Sequence, residues 1–415
     1  MNTFKELTST YTTTDALFAW LRSPAGGRLL IHEDLTTPIA LIHYDKKVSD
    51  LSMNHVPQFR SVVWDMRTNR PLSVAPPRGD PIAILTDADM SGATTEDFVD
   101  GIMINMFHDG SRWRIATRSQ LDAPGHFYGT RSFSELFWET FNSKGLGDMS
   151  QFDLSVCYSW VLQHPQERVV VAPTYGIAGL WLVGARLIHP DGYVHELNVP
   201  IPTLDRFLPA GHKLDTSDQV RDRVYAWGRR FGHAWQGLVV KTADGRRFKG
   251  RSIEYKAARA LRGNQAKLPF LWLERWGEGR LTAYLKIYPE EAIEADAVVG
   301  RFKQTTQELY DLYQRVYRRR ELPLGEAPRK YRKLLWEAHA AHAGGYFKDL
   351  RAFMNEQDVA RKLWLVNYET RYSLVTPDSV PEPGDARYAL APLVSSTETS
   401  DTRYAPTDDA HNMPA

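Results

Sequence analysis

The stretch QGLVVKTADGRRFKGRSIEY, residues 236–255, decides most of what the sequence predicts about the fold. It holds two β-rich runs separated by a compact Ala-Asp-Gly turn, a pattern typical of an antiparallel hairpin. Lys249 and Arg251 are two residues apart on the second run, so they share one face, and Gly250 lets a ligand approach the backbone. Two cations on a rigid strand suit the α-phosphate of a nucleotide. By spacing alone, a charged hairpin edge that faces solvent is the simpler interpretation.

Similar β-rich runs recur through the first 265 residues. They begin at Pro38, Ser61, Gly101, Arg112, Leu154, Arg168, Gly179 and Gly237. The turns His-Asp-Gly at 108–110 and His-Pro-Asp-Gly at 189–192 leave no room for the helical crossover that parallel strands need, so pairing should be mostly antiparallel. Helices are predicted at residues 133–142 and 219–231, packed outside the sheets. The fold class is therefore α+β.

The periodicity changes from about Pro269 to helical spacing, in three segments separated by residues 322–328 and by Gly344-Gly345. We therefore predict an α+β domain at residues 1–265 and an all-α domain at residues 266–370. Residues 372–415 carry two Arg against seven Asp plus Glu, a net charge of −5. This composition predicts a disordered acidic tail at 371–415.

Composition excludes several classes of function. The 415 residues contain 51 Lys plus Arg and 50 Asp plus Glu, so no whole-chain field indicates a polyanion partner. Locally, residues 242–262 have a net charge of +5 and residues 301–351 of +6. These two stretches are consistent with a polyanion surface or with solvated helix faces. The single cysteine, Cys157, excludes an internal disulfide, and no apolar run predicts a signal peptide or membrane crossing. We expect a cytoplasmic protein.

Residues 236–255 resemble the last two motifs of ATP-dependent RNA ligases of the bacteriophage tRNA-repair type, within the covalent nucleotidyltransferase superfamily. Further segments resemble the other motifs of that family in the same order: 59–65, 99–105, 114–119, 160–170 and 180–186. The resemblance spans roughly residues 30 to 265. Uncharacterised large-DNA-virus proteins share more of it, including YDKK at 44–47 and Pro328–Arg332. It implies an antiparallel-sheet, ATP-grasp-like nucleotidyltransferase domain followed by the all-α domain.

In that family a lysine attacks the α-phosphorus of ATP, the AMP moves to a 5′-phosphate, and a 3′-hydroxyl then displaces it. The resemblance implies ATP and Mg²⁺ as cofactors and RNA ends, of tRNA or another structured RNA, as the partner of a monomer. No metal-ligating residue is implied. The implied catalytic residues are Lys249, Arg251, Gln236 and Asp100, and the implied nucleotide-binding residues are Arg60, Gly101, Arg118, Gly237 and Lys241.

The sequence departs from the family at three catalytic positions. Phe98 stands where the family has its lysine nucleophile, while Val161 and Gln236 replace two glutamates. Because a phenyl ring cannot form a phosphoramidate, three hypotheses follow. The first is an active RNA-ligase-like enzyme with a relocated nucleophile, Lys46 or Lys47. The second is an inactive descendant that binds RNA or nucleotides, and the third is a different group transfer without a covalent enzyme intermediate.

Overall fold

The structure is a computed structural model that describes residues 3–197 and 202–369. The acidic tail predicted at 371–415 lies outside the described residues. The chain divides into two compact units, the first ending at Ala260 and the second beginning at Leu261.

The described residues of the first unit form three β-sheets, together with helices. The first sheet has the order β1-β2-β3-β4, with β1 Leu30–Glu33, β2 Ile39–His43, β3 Val62–Asp65 and β4 Arg70–Val74. The second has the order β11-β10-β9-β7-β8, with β7 Ile102–His108, β8 Trp113–Ala116, β9 Val156–Gln163, β10 Gly179–Ile188 and β11 Val194–Glu196. The third has the order β12-β6-β13-β14-β5, with β5 Asp80–Pro81, β6 Thr94–Asp97, β12 Gly211–His212, β13 Gly237–Lys241 and β14 Arg247–Arg251. Among the described strands, only β14 and β5 pair in parallel.

Helices cover one face of each sheet. The helices of this part of the chain are α1 Thr3–Thr10, α2 Thr14–Arg22, α3 Asp87–Met90, α4 Phe133–Ser143, α5 Ser217–Phe231 and α6 Ile253–Arg262. Apolar side chains of α2 pack with the first sheet, those of α4 with the second, and those of α5 with the third. Leu238 and Val240 of β13 point towards α5, so Val239 between them points to the opposite face. The opposite faces of the second and third sheets border the cavity described in the next subsection.

The second unit is helical throughout its described residues. After α6 it contains α7 Leu268–Gly277, α8 Leu281–Ile287, α9 Ala292–Tyr313, α10 Arg329–Ala340, α11 Phe347–Glu356 and α12 Val359–Val366. A single apolar core joins them, with Leu309, Leu335 and Leu350 fully buried. The structure thus confirms the predicted class, an α+β part with antiparallel sheets followed by a helical part.

One predicted strand is absent from the structure. Residues 168–171, Arg-Val-Val-Val, have a strand-like composition but form no strand. The backbone N–H groups of Val170 and Val171 instead donate to Oδ2 of Asp100, at 2.9 and 2.8 Å. A side-chain acceptor has therefore taken the place of a neighbouring strand, which composition alone does not reveal.

Gly237 has a backbone conformation and a setting that only glycine tolerates. Its φ is 148°, and a Cβ would lie 1.7 Å from the carbonyl oxygen of Gly250 on the paired strand. We expect Gly237→Ala to lower the free energy of unfolding by roughly 3 kcal/mol, because strain and the clash add together. Urea denaturation followed by circular dichroism measures this loss.

Gly245→Ala is the matched control. Gly245 has a φ of 87°, but a Cβ there would meet nothing within 4 Å. Its substitution should lower the free energy of unfolding by only about 1 kcal/mol, from strain alone. Equal losses in the two variants would contradict the close approach of β13 and β14 at Gly237.

Candidate functional site

A large cavity lies in the first unit against the second and third sheets. It encloses about 1510 Å³, counting the part that is open to solvent. Among the described residues, six cationic side chains line it: Arg60, Arg118, Arg247, Lys249, Arg251 and Arg259. We refer to it as the central cavity.

The two cations that the hairpin motif predicts both line the central cavity. Lys249 and Arg251 alternate along β14 with Phe248 and Gly250, which pack towards α5. The guanidinium carbon of Arg251 lies over the ring of Phe98, 4.9 Å from its centroid. The residue at the family's lysine position is therefore a stacking platform for one of the two cations that we expect on the phosphate.

Asp100 is held firmly by its surroundings. It is 6% exposed, and its Oδ1 accepts a hydrogen bond from the Tyr255 hydroxyl at 2.6 Å, in addition to the two backbone donors on Oδ2. Burial, followed by the adjacent Asp100 charge, raises the pKa of Tyr255 well above its usual value. Asp100 therefore fixes the segment at Val170 and the start of α6 to the cavity wall.

Gln236 has an amide oxygen without a partner. The residue is 4% exposed, lines the central cavity, and its Oε1 has no hydrogen-bond partner within the described structure. An unsatisfied buried acceptor costs about 1–3 kcal/mol, so a bound donor or cation at this position would be stabilised. A ribose hydroxyl or a metal ion fits this oxygen.

Of the five predicted nucleotide-binding residues, three line the central cavity and two do not. Arg60, Gly101 and Arg118 line the central cavity, and Arg118 lies over the Tyr44 ring with 4.9 Å between its guanidinium carbon and the centroid. Gly237 and Lys241 are not among the lining residues, although Gly237 pairs with Arg251 in the sheet. Gly237 therefore supports the cavity through the backbone of β13.

The lysines are the most informative side chains of the site. Among the described residues that line the central cavity, Lys249 is the only lysine. Lys46 and Lys47 are exposed in the loop after β2 and do not line the cavity. The amine of Lys241 pairs with Glu96 Oε2 at 2.8 Å, and its pKa is lowered by burial.

The carboxylates of the cavity wall already have protein partners. Besides Asp100 and the Glu96–Lys241 pair, Asp97 accepts from a histidine and a tryptophan ring nitrogen, each at 2.9 Å. Glu167 accepts three backbone N–H groups, each at 3.0 Å, and burial raises its pKa. In the described part of the chain, no three His, Cys, Asp or Glu side chains are placed to hold a metal ion. A divalent cation would therefore need ligands from a bound nucleotide, with Gln236 as the protein group that fits.

Sequence reasoning missed two cations of the cavity. Arg247 precedes Lys249 by two residues on β14, and Arg259 follows Tyr255 by one helical turn on α6. The period of two in the strand and the i, i+4 spacing in the helix were the available signals. The Phe-Lys-x-Arg-Ser-x-x-Tyr motif at residues 248–255 includes neither position.

Five charged side chains at one side of the central cavity form a mostly buried cluster. They are Arg186, Lys241, Arg247, Glu96 and Glu196, and we call them the five-charge cluster. Burial alone would raise the pKa of Glu196, but the charges of Arg186, Arg247 and Lys241 outweigh burial and lower this pKa to about 2.

Glu196→Gln should therefore make the protein less stable at neutral pH. A carboxyl group with a lowered pKa in the folded state stabilises the fold above its unfolded pKa, and this stabilisation is lost as the pH falls towards 2. We expect a loss of roughly 3 kcal/mol in the free energy of unfolding at pH 7. The difference from the wild type should shrink between pH 4.5 and pH 2, as measured by urea denaturation across that range. Glu6→Gln, at an exposed position on α1, is the control, and an equal loss there would contradict the role of the cluster.

Comparisons with known proteins give one match in sequence. No protein-family model matches the chain. An RNA ligase of Rhodothermus phage RM378 is 28% identical over 126 residues, a stretch that spans 28% of this chain and 28% of that relative. The chain is therefore similar, over a part of its length, to a phage RNA ligase.

Comparisons with solved structures also match proteins that are named RNA ligases. An archaeal ATP-dependent RNA ligase has a TM-score of 0.38 at 13% identity, covering 88% of this chain and 80% of that one. A mutant RNA ligase of Naegleria gruberi, solved with ATP and Mn, has a TM-score of 0.33 at 13% identity, covering 51% of this chain and 68% of that one. Since both scores are below 0.5, the architecture given above rests on this chain's own sheets and helices.

Within the described residues, no helix is both long and apolar enough to span a membrane.

Proposed function

We propose that this protein is an RNA-ligase-like nucleotidyltransferase that acts on, or binds, RNA ends with ATP. One observation carries the proposal: Lys249 and Arg251 project from one strand into a cavity whose wall also includes Arg60 and Arg118. Several cations around one concave site suit a nucleotide and a terminal phosphate of RNA. The sequence similarity to a phage RNA ligase supports the same assignment.

The residues of the cavity fit distinct parts of the substrates. Lys249 and Arg251 would hold the α-phosphate, and Gln236 would accept from the ribose or bind a metal ion through its buried Oε1. Arg60 and Arg118 would face the nucleotide or the 5′-phosphate of the RNA. Mg²⁺ carried on the ATP phosphates would neutralise charge during transfer.

A specific observation bears on the binding-only alternative. Phe98 stands at the family's lysine position, and Lys249 is the only lysine among the described residues that line the cavity. Lys46 or Lys47 would act as a relocated nucleophile only if the loop after β2 moved its amine into the cavity. An inactive descendant needs no such movement.

Incubation with α-labelled ATP and Mg²⁺, followed by a denaturing gel, separates these alternatives. Protein-bound label that is lost in Lys46→Ala or in Lys47→Ala would identify the relocated nucleophile. ATP binding without label or turnover would identify the binding-only protein. Turnover of ATP without label would indicate a group transfer that forms no covalent enzyme intermediate.

A helix face in the second unit has the chemistry of an RNA contact. On α10, Arg329, Arg332, Lys333 and Trp336 follow one another at the i, i+3, i+4, i+7 spacing of one face, and all four are exposed. Trp336 is 61% exposed, which is unusual for so large an apolar side chain. Cations attract the phosphate backbone, and an indole ring can stack on an unpaired base. We propose this face as an RNA-binding surface of the second unit, with tRNA or another structured RNA as the substrate of a cytoplasmic monomer.

The double variant Arg332→Glu/Lys333→Glu tests the α10 face. We expect it to weaken binding of a 5′-phosphorylated RNA by about tenfold or more at low salt, and to reduce the dependence of binding on salt. Fluorescence anisotropy at several salt concentrations measures both effects. Lys286→Glu, at an exposed position on α8, is the control and should have a smaller effect. Equal losses in both variants would indicate that only net charge matters and would contradict a specific face.

A further inference from the structure

Arg247 occupies the third position of a row of cations on β14. Strand residues alternate in direction, so Arg247, Lys249 and Arg251 point to the same side, and all three line the central cavity. Successive members of the row are about 6.7 Å apart along the strand. The row therefore extends the predicted phosphate-binding pair by one further cation, on the side away from Phe98.

The guanidinium of Arg247 is buried without being satisfied. The residue is 8% exposed, and its Nη1 has no hydrogen-bond partner within the described structure. Its two nearest carboxylates lie beyond hydrogen-bond distance, with Glu96 Oε1 3.8 Å from Nη2 and Glu196 Oε1 4.0 Å from Nη1. A buried N–H donor without an acceptor lowers the stability of the fold, because its hydrogen bond to water is lost and not replaced.

Both carboxylates are held more closely by other cations. Glu96 pairs with Lys241 at 2.8 Å, and Glu196 pairs with Arg186 at 2.8 Å. The five-charge cluster contains three cations and two carboxylates, so one positive charge is left over in a mostly buried setting. An uncompensated buried charge is strongly unfavourable, and an anion beside Arg247 would relieve it.

We propose that Arg247 binds the terminal phosphates of the nucleotide whose α-phosphate lies at Lys249 and Arg251. The order along β14 then sets the direction of the ligand. Gln236 lies at the Arg251 end and would face the nucleoside, while the polyphosphate extends towards Arg247 and compensates the extra charge. This inference rests on the proposed function, and it assigns a position to the part of ATP that leaves as pyrophosphate.

Isothermal titration of ATP and AMP into the wild type and Arg247→Gln tests the assignment. We expect Arg247→Gln to weaken ATP binding by about tenfold or more, because a charged hydrogen bond to phosphate is lost. AMP binding should change by less than about twofold, because AMP lacks the terminal phosphates. The ratio of the two affinities is read within each variant, so a general loss of stability does not imitate the effect.

Arg246→Gln is the matched control. Arg246 is the adjacent residue, but it is exposed, pairs with Asp89 and Asp244, and lines a different cavity. It should leave the ratio of ATP to AMP affinity unchanged.

Arg247 also borders that second cavity, so an anion could reach it from there.

An unchanged ratio in folded Arg247→Gln would overturn the inference, whether both affinities fall equally or neither falls. If Arg247→Gln does not fold, Arg247→Lys provides the same test. We expect its ratio of ATP to AMP affinity to fall about threefold, because an ammonium lacks the bidentate geometry of a guanidinium. A wild type that binds neither ATP nor AMP would instead contradict the proposed function itself. The two failures are therefore distinguishable.

Discussion

Replacing Lys249 with alanine is expected to weaken ATP binding by about a hundredfold, the largest loss among single substitutions in the cavity. Lys249 lies at the centre of the cation row on β14, between Arg247 and Arg251, and it faces the cavity rather than α5. The α-phosphate is the part of ATP that AMP shares. The loss should therefore appear for AMP as well as for ATP, unlike the effect of Arg247→Gln. Isothermal titration with both ligands measures it.

Lys256→Ala is the control for this prediction. Lys256 is an exposed lysine on α6 that does not line the central cavity, so its removal tests net charge alone. Its effect on ATP affinity should be less than about twofold. A similar loss in the two variants would show that the chain attracts ATP through its general charge, without a phosphate site on β14.

If the wild type binds ATP without forming an adduct, replacing Phe98 with lysine is expected to create covalent AMP transfer to residue 98. Phe98 lines the cavity beneath Arg251, so an amine placed there would lie close to the predicted α-phosphate. The adjacent cations would lower the pKa of the new amine and increase its reactive neutral fraction. The amine nitrogen would bond to the α-phosphorus while pyrophosphate leaves. Label from α-labelled ATP that stays on the protein in a denaturing gel measures the adduct.

Phe98→Met is the control, because it removes the ring without adding an amine. It should bind ATP and remain unlabelled. If Phe98→Lys binds ATP yet acquires no label with any divalent metal, the α-phosphate does not lie at Lys249 and Arg251 as we propose. Label that is already present in the wild type and is lost in Lys46→Ala or Lys47→Ala would favour the relocated nucleophile instead.

The sequence predicted those parts of the fold that depend on local patterns. The hairpin of β13 and β14, the helix at residues 133–142 and the helix at 219–231 all follow from residue patterns and turn residues close in the chain. The structure places the last two at Phe133–Ser143 and Ser217–Phe231. The strand predicted at Arg168 failed because its backbone is hydrogen-bonded to Asp100, a partner far away in sequence.

The same distinction applies to the site. Spacing places Lys249 and Arg251 on one face, because the period of a strand is fixed, whereas their role at a phosphate was indicated by the family resemblance. The excess positive charge at Arg247 could not be predicted from the sequence. It depends on which carboxylates lie near Arg247, and only the tertiary fold brings Glu96 of β6 and Glu196 of β11 close to it. The roles of the site residues stay predictions until a ligand is seen or measured.

A crystal structure of the protein with bound ATP would show directly whether the α-phosphate lies on β14. We expect α-phosphate oxygens within about 3.2 Å of Lys249 Nζ and of the Arg251 guanidinium, inside the central cavity. ATP bound elsewhere on the protein, or with its phosphates turned away from β14, would rule out a phosphate site on this strand.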